Sequence, residues 1–258
     1  MVYLKTEDQI DLLRKSSLLV CKTLALVGGL VKPGVTTSEL DRIAEEFIRD
    51  NGALPGFKGL YGCPSTLLTS VNSEVVHGLP SKTPLKDGDI VSIDCGVLMN
   101  EFYGDVAYTF EVGNVKDDIK KLLQTTKECL KLGIESAVAG NRVGDIGFAI
   151  QNHAEKNGYG VVRELVGHGL GKKLHEAPEV PNYGKRGAGM LLKEGLVIAI
   201  EPMINLKSRA VKQLEDGWTI ATADGMCSAH FEHDVVVRKG KAEVLSDHSI
   251  IEEALNKK

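Results

Sequence analysis

Two histidines lie seven residues apart in a stretch that is rich in glycine and proline. The stretch reads GHGLGKKLHEAPEVPNYG at positions 167–184 and contains His168 and His175. Helix interiors tolerate this composition poorly, so a loop-rich backbone is predicted to hold both imidazoles. Imidazoles held in this way are typical of metal binding or proton transfer.

Two aspartates flank a short segment in the first half of the chain. Asp94 and Asp105 enclose CGVLMNEFYG, and the residues beyond each aspartate have strand character. A hairpin that turns at Met99-Asn100 would place Asp94 directly opposite Asp105, with Cβ atoms about 4.5–5.5 Å apart. Carboxylates at that distance need a cation or a shared proton. A register shifted by one residue would instead leave one aspartate in solvent.

Two glutamates form a similar pair in the second half. Glu201 ends the apolar run LVIAIE, and Glu232 begins EHDVVV. A buried glutamate at a strand end is costly without a partner. Together with His168, the four acids predict a site for two divalent ions, and such oxygen-rich ligands suit Mn, Fe(II), Co or Zn. Two ions about 3.5–4 Å apart can share a water molecule and lower its pKa.

The remaining histidines differ in their predicted roles. His77, after a predicted strand end, is a catalytic candidate. His230 shares a strand face with Glu232, whereas His233 is predicted to point to the opposite face. His153 and His248 are predicted to lie outside the site.

Helices and strands must position these groups. Thr6 and Gln9 form a capping-box pattern that predicts a helix from about Glu7 to Val27. Ser38 with Asp41 is predicted to open a second helix, which Asn51-Gly52 ends. A buried strand is predicted from Ile90 to Asp94.

The same plan recurs about 106 residues later. Several residues of the first half have counterparts in the second, and DGDIVSID at 87–94 resembles EGLVIAIE at 194–201. Coincidence between generic α/β segments is the alternative, but the nearly constant offset favours duplication. We therefore predict a single domain over residues 1–258, with halves at about 5–115 and 116–245 that bring Asp94 and Glu201 together.

Composition limits the classes of function. The 258 residues are 43% hydrophobic, which is enough for a full core. Their net charge of −4 argues against a surface that binds nucleic acid. Five scattered cysteines without a C-x-x-C motif predict free thiols in a reducing cytosol. Neither a secretory signal nor a membrane span is recognisable, so a cytoplasmic protein without membrane contact is predicted.

The acidic and histidine motifs resemble those of the type I methionine aminopeptidases. IDCG, FYGD, GHGLG, IEPM and HFEHD occur in the family's order, and the match runs from the first helix to about Val237. The resemblance implies the α/β (α+β) pita-bread fold, in which duplicated halves with pseudo-twofold symmetry surround a central antiparallel sheet. It also implies two divalent metal ions bound by Asp94, Asp105, His168, Glu201 and Glu232.

The resemblance further implies a mechanism. A water or hydroxide that bridges the metals attacks the carbonyl of an N-terminal methionine, and Glu201 acts as general base. His175 stabilises the oxyanion, and His77 hydrogen-bonds the scissile nitrogen or the next residue. The substrates implied are nascent polypeptides with a small second residue. Transient contact with the ribosome and a monomeric state are also expected.

The family's methionine pocket falls on apolar positions of this chain. Besides His77 and His175, these are Phe57, Leu60, Cys63, Leu68, Leu174 and Trp218. Family members often carry aromatic residues where Leu60, Cys63 and Leu174 stand, so the walls are predicted to be less aromatic. His230 occupies a position where glutamine is common.

Two alternatives remain. One is a prolidase-like or aminopeptidase P-like hydrolase, although the N-terminal domain of those enzymes is not recognisable here. The helical insertion of type II methionine aminopeptidases is not recognisable either, and both observations favour the short type I form. The other is a silent module that binds N-termini, although such proteins usually lose ligands and all five are present here.

Overall fold

The computed structural model describes residues 2–256, in which five helices pack against antiparallel sheets. Its helices are α1 (Glu7–Leu30), α2 (Thr37–Asp50), α3 (Asp117–Ser136), α4 (Val143–Lys156) and α5 (His248–Leu255), with one 3₁₀ turn at Leu60–Gly62.

Fifteen strands complete the described part of the chain. They are β1 (Leu54–Pro55), β2 (Leu67–Val71), β3 (Glu74–Val76), β4 (Ile90–Met99), β5 (Phe102–Glu111), β6 (Gly160–Val161), β7 (Gly167–Gly169), β8 (Glu176–Val180), β9 (Val197–Ile200), β10 (Met203–Asn205), β11 (Val211–Gln213), β12 (Ile220–Thr222), β13 (Ser228–His230), β14 (His233–Val236) and β15 (Glu243–Val244).

Two of the sheets carry the acidic residues. The first-half sheet has the order β1-β4-β2, with β5 paired to the other side of β4. The second-half sheet has the order β15-β14-β9-β7-β8. Each sheet is covered by a helix pair, and one buried apolar cluster joins both halves through residues such as Ile93, Phe110, Ile200 and Phe231. This is the predicted α/β arrangement of two helix-helix-strand halves.

The helix predictions are confirmed in type and need correction at two boundaries. Thr6 and Gln9 form the predicted capping box, but α1 continues three residues beyond Val27. The second helix is capped by Thr36, whose hydroxyl accepts from the backbone of Glu39, rather than by Ser38. Asp41 does not cap the helix, because its carboxylate accepts from the amides of Thr66 and Leu67.

The predicted register of the β4–β5 hairpin is wrong by two residues. Asp94 lies opposite Ala107, and Asp105 lies opposite Gly96. The turn falls at Asn100-Glu101, where both residues have positive φ, as a two-residue type I′ turn requires. β4 therefore runs to Met99 instead of ending at Asp94. Because a shift of two residues preserves side-chain alternation, both aspartates still share one face as diagonal neighbours.

The two helix pairs repeat each other in spacing. Helices α2 and α4 are both 14 residues long, and they begin 106 residues apart at Thr37 and Val143. Strands β4 and β9 begin 107 residues apart. These offsets match the spacing that the sequence pattern indicated.

The hairpin lies directly on the backbone of α1. A Cβ atom at Gly104 would come within 2.4 Å of the backbone nitrogen of Ser17. The hydroxyl of Ser16 donates to the carbonyl of Phe102 at 3.0 Å. The helix thus fixes the hairpin next to Asp105. Among the described residues, no helix is long and apolar enough to cross a membrane.

Candidate metal centre and substrate pocket

The predicted site residues line one cavity of about 120 Å³. It has an acidic end and an apolar end. The lining contains all thirteen predicted side chains together with Tyr61, namely Phe57, Leu60, Tyr61, Cys63, Leu68, His77, Asp94, Asp105, His168, Leu174, His175, Glu201, Trp218 and Glu232.

The two aspartates contribute buried carboxylates from adjacent strands. Asp94 Oδ1 and Asp105 Oδ1 have no hydrogen-bond partner among residues 2–256. Burial raises the pKa of Asp94 from its ordinary value of 3.8 to about 7. Burial, reinforced by the Asp94 charge, holds the pKa of Asp105 well above its ordinary range. Such groups lack a positive partner and attract either protons or a cation.

The two glutamates face them from the second-half sheet. Glu201 follows β9 and Glu232 precedes β14, and these strands pair with Ile200 opposite His233. The backbone nitrogen of Glu232 donates to the carbonyl of Ala107, which joins this strand to β5. Burial and the nearby carboxylates raise the pKa of both glutamates well above the ordinary value.

His168 lies on β7 with its ring aimed at the acids. Its flanking glycines allow close packing, since a Cβ at Gly167 or Gly169 would meet a neighbouring carbonyl oxygen at 2.4 or 2.3 Å. Nδ1 lies 3.0 Å from the carbonyl of Gly169 and must donate to it, which leaves Nε2 free to accept. Nε2 lies 3.7 Å from Asp105 Oδ2 and 3.5 Å from Glu201 Oε1.

This donor set fits a divalent cation. Asp105, His168 and Glu232 each offer a ligand atom, and these atoms lie within 4.8 Å of one another. Burial lowers the pKa of His168 to about 4, so its ring is neutral at pH 7 and cannot balance the acids. Unpaired carboxylate oxygens beside a neutral imidazole form an environment that a hard or borderline cation stabilises.

His175 and His77 lie beside the acids without joining them. The hairpin between β7 and β8 brings the His175 ring to 4.4 Å from the His168 ring, edge to face. Partial desolvation lowers the pKa of His175, which remains exposed at the rim of the cavity. Burial and the nearby His175 also lower the pKa of His77, which has a φ of 60° directly after β3. Both rings face the cavity as neutral imidazoles.

The other histidines follow the predictions in part. His230 Nε2 lies 3.7 Å from Glu201 Oε2 and has no hydrogen-bond partner in the described chain. His233 points away, with Nδ1 2.6 Å from the Ser246 hydroxyl. His153 contacts Glu128 outside the site. His248, which was predicted to lie outside the site, does not line the cavity, although its Nε2 donates to the backbone carbonyl of Glu232 at 3.0 Å.

The apolar end of the cavity is formed by three loops and a strand. Leu68 pairs with Asp94 across β2 and β4, so the apolar wall adjoins the acids. Phe57 covers Gly96, where a Cβ atom would come within 2.5 Å of the ring. Trp218 is presented by the loop between β11 and β12.

Sequence reasoning missed Tyr61 as a lining residue. Its side chain is 74% exposed, and its ring stacks on His175 at 5.8 Å with 13° between the planes. The flanking glycines Gly59 and Gly62 both have positive φ, and this GLYG pattern was the available signal of a shaped turn. Tyr61 restores an aromatic ring to a wall that was expected to be less aromatic.

Comparison with known proteins assigns the chain to a family. Residues 11–239 match the model of metallopeptidase family M24. The chain belongs to metallopeptidase family M24. Members of this family use divalent metal, and the donor set described above agrees with that dependence.

Within family M24, the chain is similar to bacterial methionine aminopeptidases. It is 53% identical to the enzyme of Clostridium perfringens, over 95% of this chain and 99% of that one. It is 46% identical to methionine aminopeptidase 1 of Bacillus subtilis, with the same coverage. The crystal structure of methionine aminopeptidase from Rickettsia prowazekii is similar with a TM-score of 0.94 and 40% identity, over 96% of this chain and all of that one.

More distant M24 structures share the fold. The Xaa-Pro dipeptidase of Bacillus anthracis has a TM-score of 0.75 at 21% identity, and this chain covers 62% of its length. This likeness shows the fold that the chain shares with these structures.

We expect the metal-free protein to lose stability as the pH rises from 6.5 to 8. The pKa of Asp94 in the folded protein is about 7. The stabilisation that its protonated form gives the folded state is therefore complete below its ordinary pKa of 3.8 and is lost as the pH passes 7. The buried histidines act oppositely but only below their ordinary value of 6.5. Each carboxyl contributes up to about 1.4 kcal/mol per pH unit to this slope.

Urea unfolding in the presence of a chelator, at both pH values, measures this effect. Saturating Mn²⁺ should remove most of the loss, because a bound cation takes the place of the protons. A metal-free protein whose unfolding free energy rises between pH 6.5 and 8 would contradict the assignment.

Proposed function

We propose that this chain hydrolyses the peptide bond after an N-terminal initiator methionine, preferentially when the second residue is small. The observation that carries the proposal is the single cavity in which buried carboxylates and neutral imidazoles adjoin an apolar pocket. An acidic end can hold a free α-amino group and metal, whereas an apolar end suits an unbranched thioether side chain. A free amino group bound beside the acids makes the enzyme an exopeptidase.

Asp94, Asp105, His168, Glu201 and Glu232 would hold two divalent ions, chosen among Co, Mn, Fe(II) and Zn. The unpartnered oxygens of Asp94, Asp105 and Glu232 support this assignment. Ions at such a site supply Lewis acidity, which acidifies water and polarises a carbonyl.

Glu201 is the proposed general base. Its Oε1 faces His168 and its Oε2 faces His230, so the carboxylate lies between two neutral rings at the acidic end. In this position it would take a proton from the attacking water and pass it to the leaving amine.

The two remaining histidines would act on the substrate. His175, next to His168 and held by the Tyr61 ring, would donate to the oxyanion that develops on the scissile carbonyl. His77, which also lines the cavity, would hydrogen-bond the scissile nitrogen or the following residue. Both need an uncharged donor ring, and the lowered pKa values of both support that state.

The methionine side chain would occupy the apolar end. Phe57, Leu60, Cys63, Leu68, Leu174 and Trp218 are the proposed pocket residues. Five of these six side chains are aliphatic, sulfur-containing or phenyl groups that need no strong hydrogen-bond partner. The flexible side chain of methionine packs well against such walls.

The cellular setting is also part of the proposal. We place the reaction in the cytoplasm, acting on nascent chains in transient contact with the ribosome, with the enzyme as a monomer. The unpaired state of all five cysteines supports a reducing compartment. We also propose that one catalytic domain arose by duplication of halves at about 5–115 and 116–245.

Hydrolysis of Met-Ala-Ser, compared with Gly-Pro and Ala-Pro-Ala, tests the proposed function. We expect release of free methionine in the presence of Mn²⁺ or Co²⁺, and little cleavage of the proline peptides. Cleavage of only the proline peptides would favour the prolidase-like reading. A protein that neither takes up divalent metal in calorimetry nor cleaves any peptide would be a binding module.

A further inference from the structure

The two halves of the metal centre meet along a seam of hydrogen bonds. On one side is β5, which carries Asp105, and on the other is the segment from β13 to β14, which carries Glu232. Glu232 N donates to the carbonyl of Ala107 at 3.0 Å. The Thr109 hydroxyl donates to the carbonyl of His230 at 2.8 Å and accepts from its backbone nitrogen at 3.0 Å. This seam sets the distance between the acids of the two halves.

A buried side-chain carboxylate completes the seam next to Asp105. The backbone nitrogen of Asp105 donates to Asp234 Oδ2 at 2.9 Å, where a neighbouring strand would ordinarily offer a carbonyl. Asp234 is fully buried and does not line the cavity. It was not among the residues that the sequence singled out.

Several hydrogen bonds hold Asp234 in place. Its Oδ2 also accepts from the Ser17 hydroxyl of α1 at 2.5 Å. Its backbone carbonyl accepts from Leu245, and its backbone nitrogen donates to Ser246. β14 fixes it further by pairing Asp234 with Ala199 of β9. One carboxylate thus connects α1, the first-half hairpin and the second-half sheet.

We propose that Asp234 is a positioning residue for the metal centre. By holding the Asp105 backbone against the strand that carries Glu232, it fixes the spacing of ligands from the two halves. It acts through Asp105 and touches neither substrate nor metal. The inference rests on the proposed metal-dependent function, since it concerns the ligands that function requires.

Metal binding by variants of Asp234 tests the proposal. Asp234→Ala removes the acceptor, and we expect a 10- to 100-fold loss of Mn²⁺ or Co²⁺ affinity by calorimetry, about the effect of losing an outer partner of a metal ligand. The visible absorption of the Co²⁺ form should also change, because ligand geometry changes. Asp234→Asn keeps an oxygen that can accept from Asp105 and should restore most of the affinity and the spectrum.

Ser17 supplies a milder variant with a matched control. Ser17 and Thr23 are both buried hydroxyls of α1 that lie 3.0 and 2.9 Å from the carbonyl four residues earlier, but only Ser17 contacts Asp234. Ser17→Ala should weaken metal binding by about two- to tenfold, the size of one lost hydrogen bond, and Thr23→Val should not. If Asp234→Ala fails to fold, this pair decides the question.

Three results would overturn the inference. They are wild-type affinity and spectrum in Asp234→Ala, equal damage in Asp234→Asn and Asp234→Ala, and equal affinities in the Ser17 and Thr23 variants. Failure of the proposed function is distinguishable, because in that case the wild-type protein itself would bind neither Mn²⁺ nor Co²⁺.

Discussion

Glu201→Gln is expected to lower kcat for Met-Ala-Ser by about 10³-fold or more. The substitution preserves size but removes the carboxylate that is proposed to accept the proton of the attacking water. General acid–base groups contribute about 10²–10⁴-fold to such reactions. Glu201 lies near both His168 and His230. Among the described residues, no other carboxylate lies near both of these rings.

Steady-state kinetics with measured metal content checks this expectation. Glu194→Gln is a suitable control, since Glu194 directly precedes the same apolar run, is exposed and forms an ion pair with Lys239 on the surface. Its kcat should match that of the wild-type protein. A Glu201→Gln enzyme within tenfold of wild-type kcat at full metal occupancy would show that another group acts as the base.

His175→Ala is expected to lower kcat by about 10²–10³-fold, the usual effect of removing one oxyanion donor. Partial desolvation lowers the pKa of the ring below its ordinary value of 6.5, which favours the neutral form at pH 7, and the rings of Tyr61 and His168 contact it. Because the interaction strengthens only as charge develops on the carbonyl, KM should change much less than kcat.

Turnover of Met-Ala-Ser by this variant and by His153→Ala provides the comparison. His153 contacts Glu128 away from the cavity, so its replacement should leave kcat unchanged. Loss of activity through a raised KM, with kcat preserved, would assign His175 to substrate binding instead of catalysis.

The sequence predicted which side chains line one cavity better than it predicted the local backbone geometry. Strand alternation put Asp94 and Asp105 on one face, and this survived a two-residue error in register because alternation repeats every two residues. The error arose at the turn, since the positive φ of Glu101 in the type I′ turn is unusual for glutamate and carries no composition signal.

Residues that act through long-range contacts were not predictable in the same way. Asp234 meets Asp105 and Ser17 only after the second-half sheet packs on the first-half hairpin and α1. Tyr61 joins the lining because its turn folds back onto His175. Neither contact can be recognised from the local sequence, whereas an acid that ends an apolar run can.

Metal titration of the wild-type protein, His168→Ala and His175→Ala tests the central claim most directly. The two histidines lie side by side, yet only His168 directs a free Nε2 at Asp105 and Glu201. Calorimetry with Mn²⁺ should give two ions for the wild-type protein and for His175→Ala, with a clear loss of affinity in His168→Ala. Equal metal binding by both variants, or loss in His175→Ala alone, would contradict the assignment of the two imidazoles.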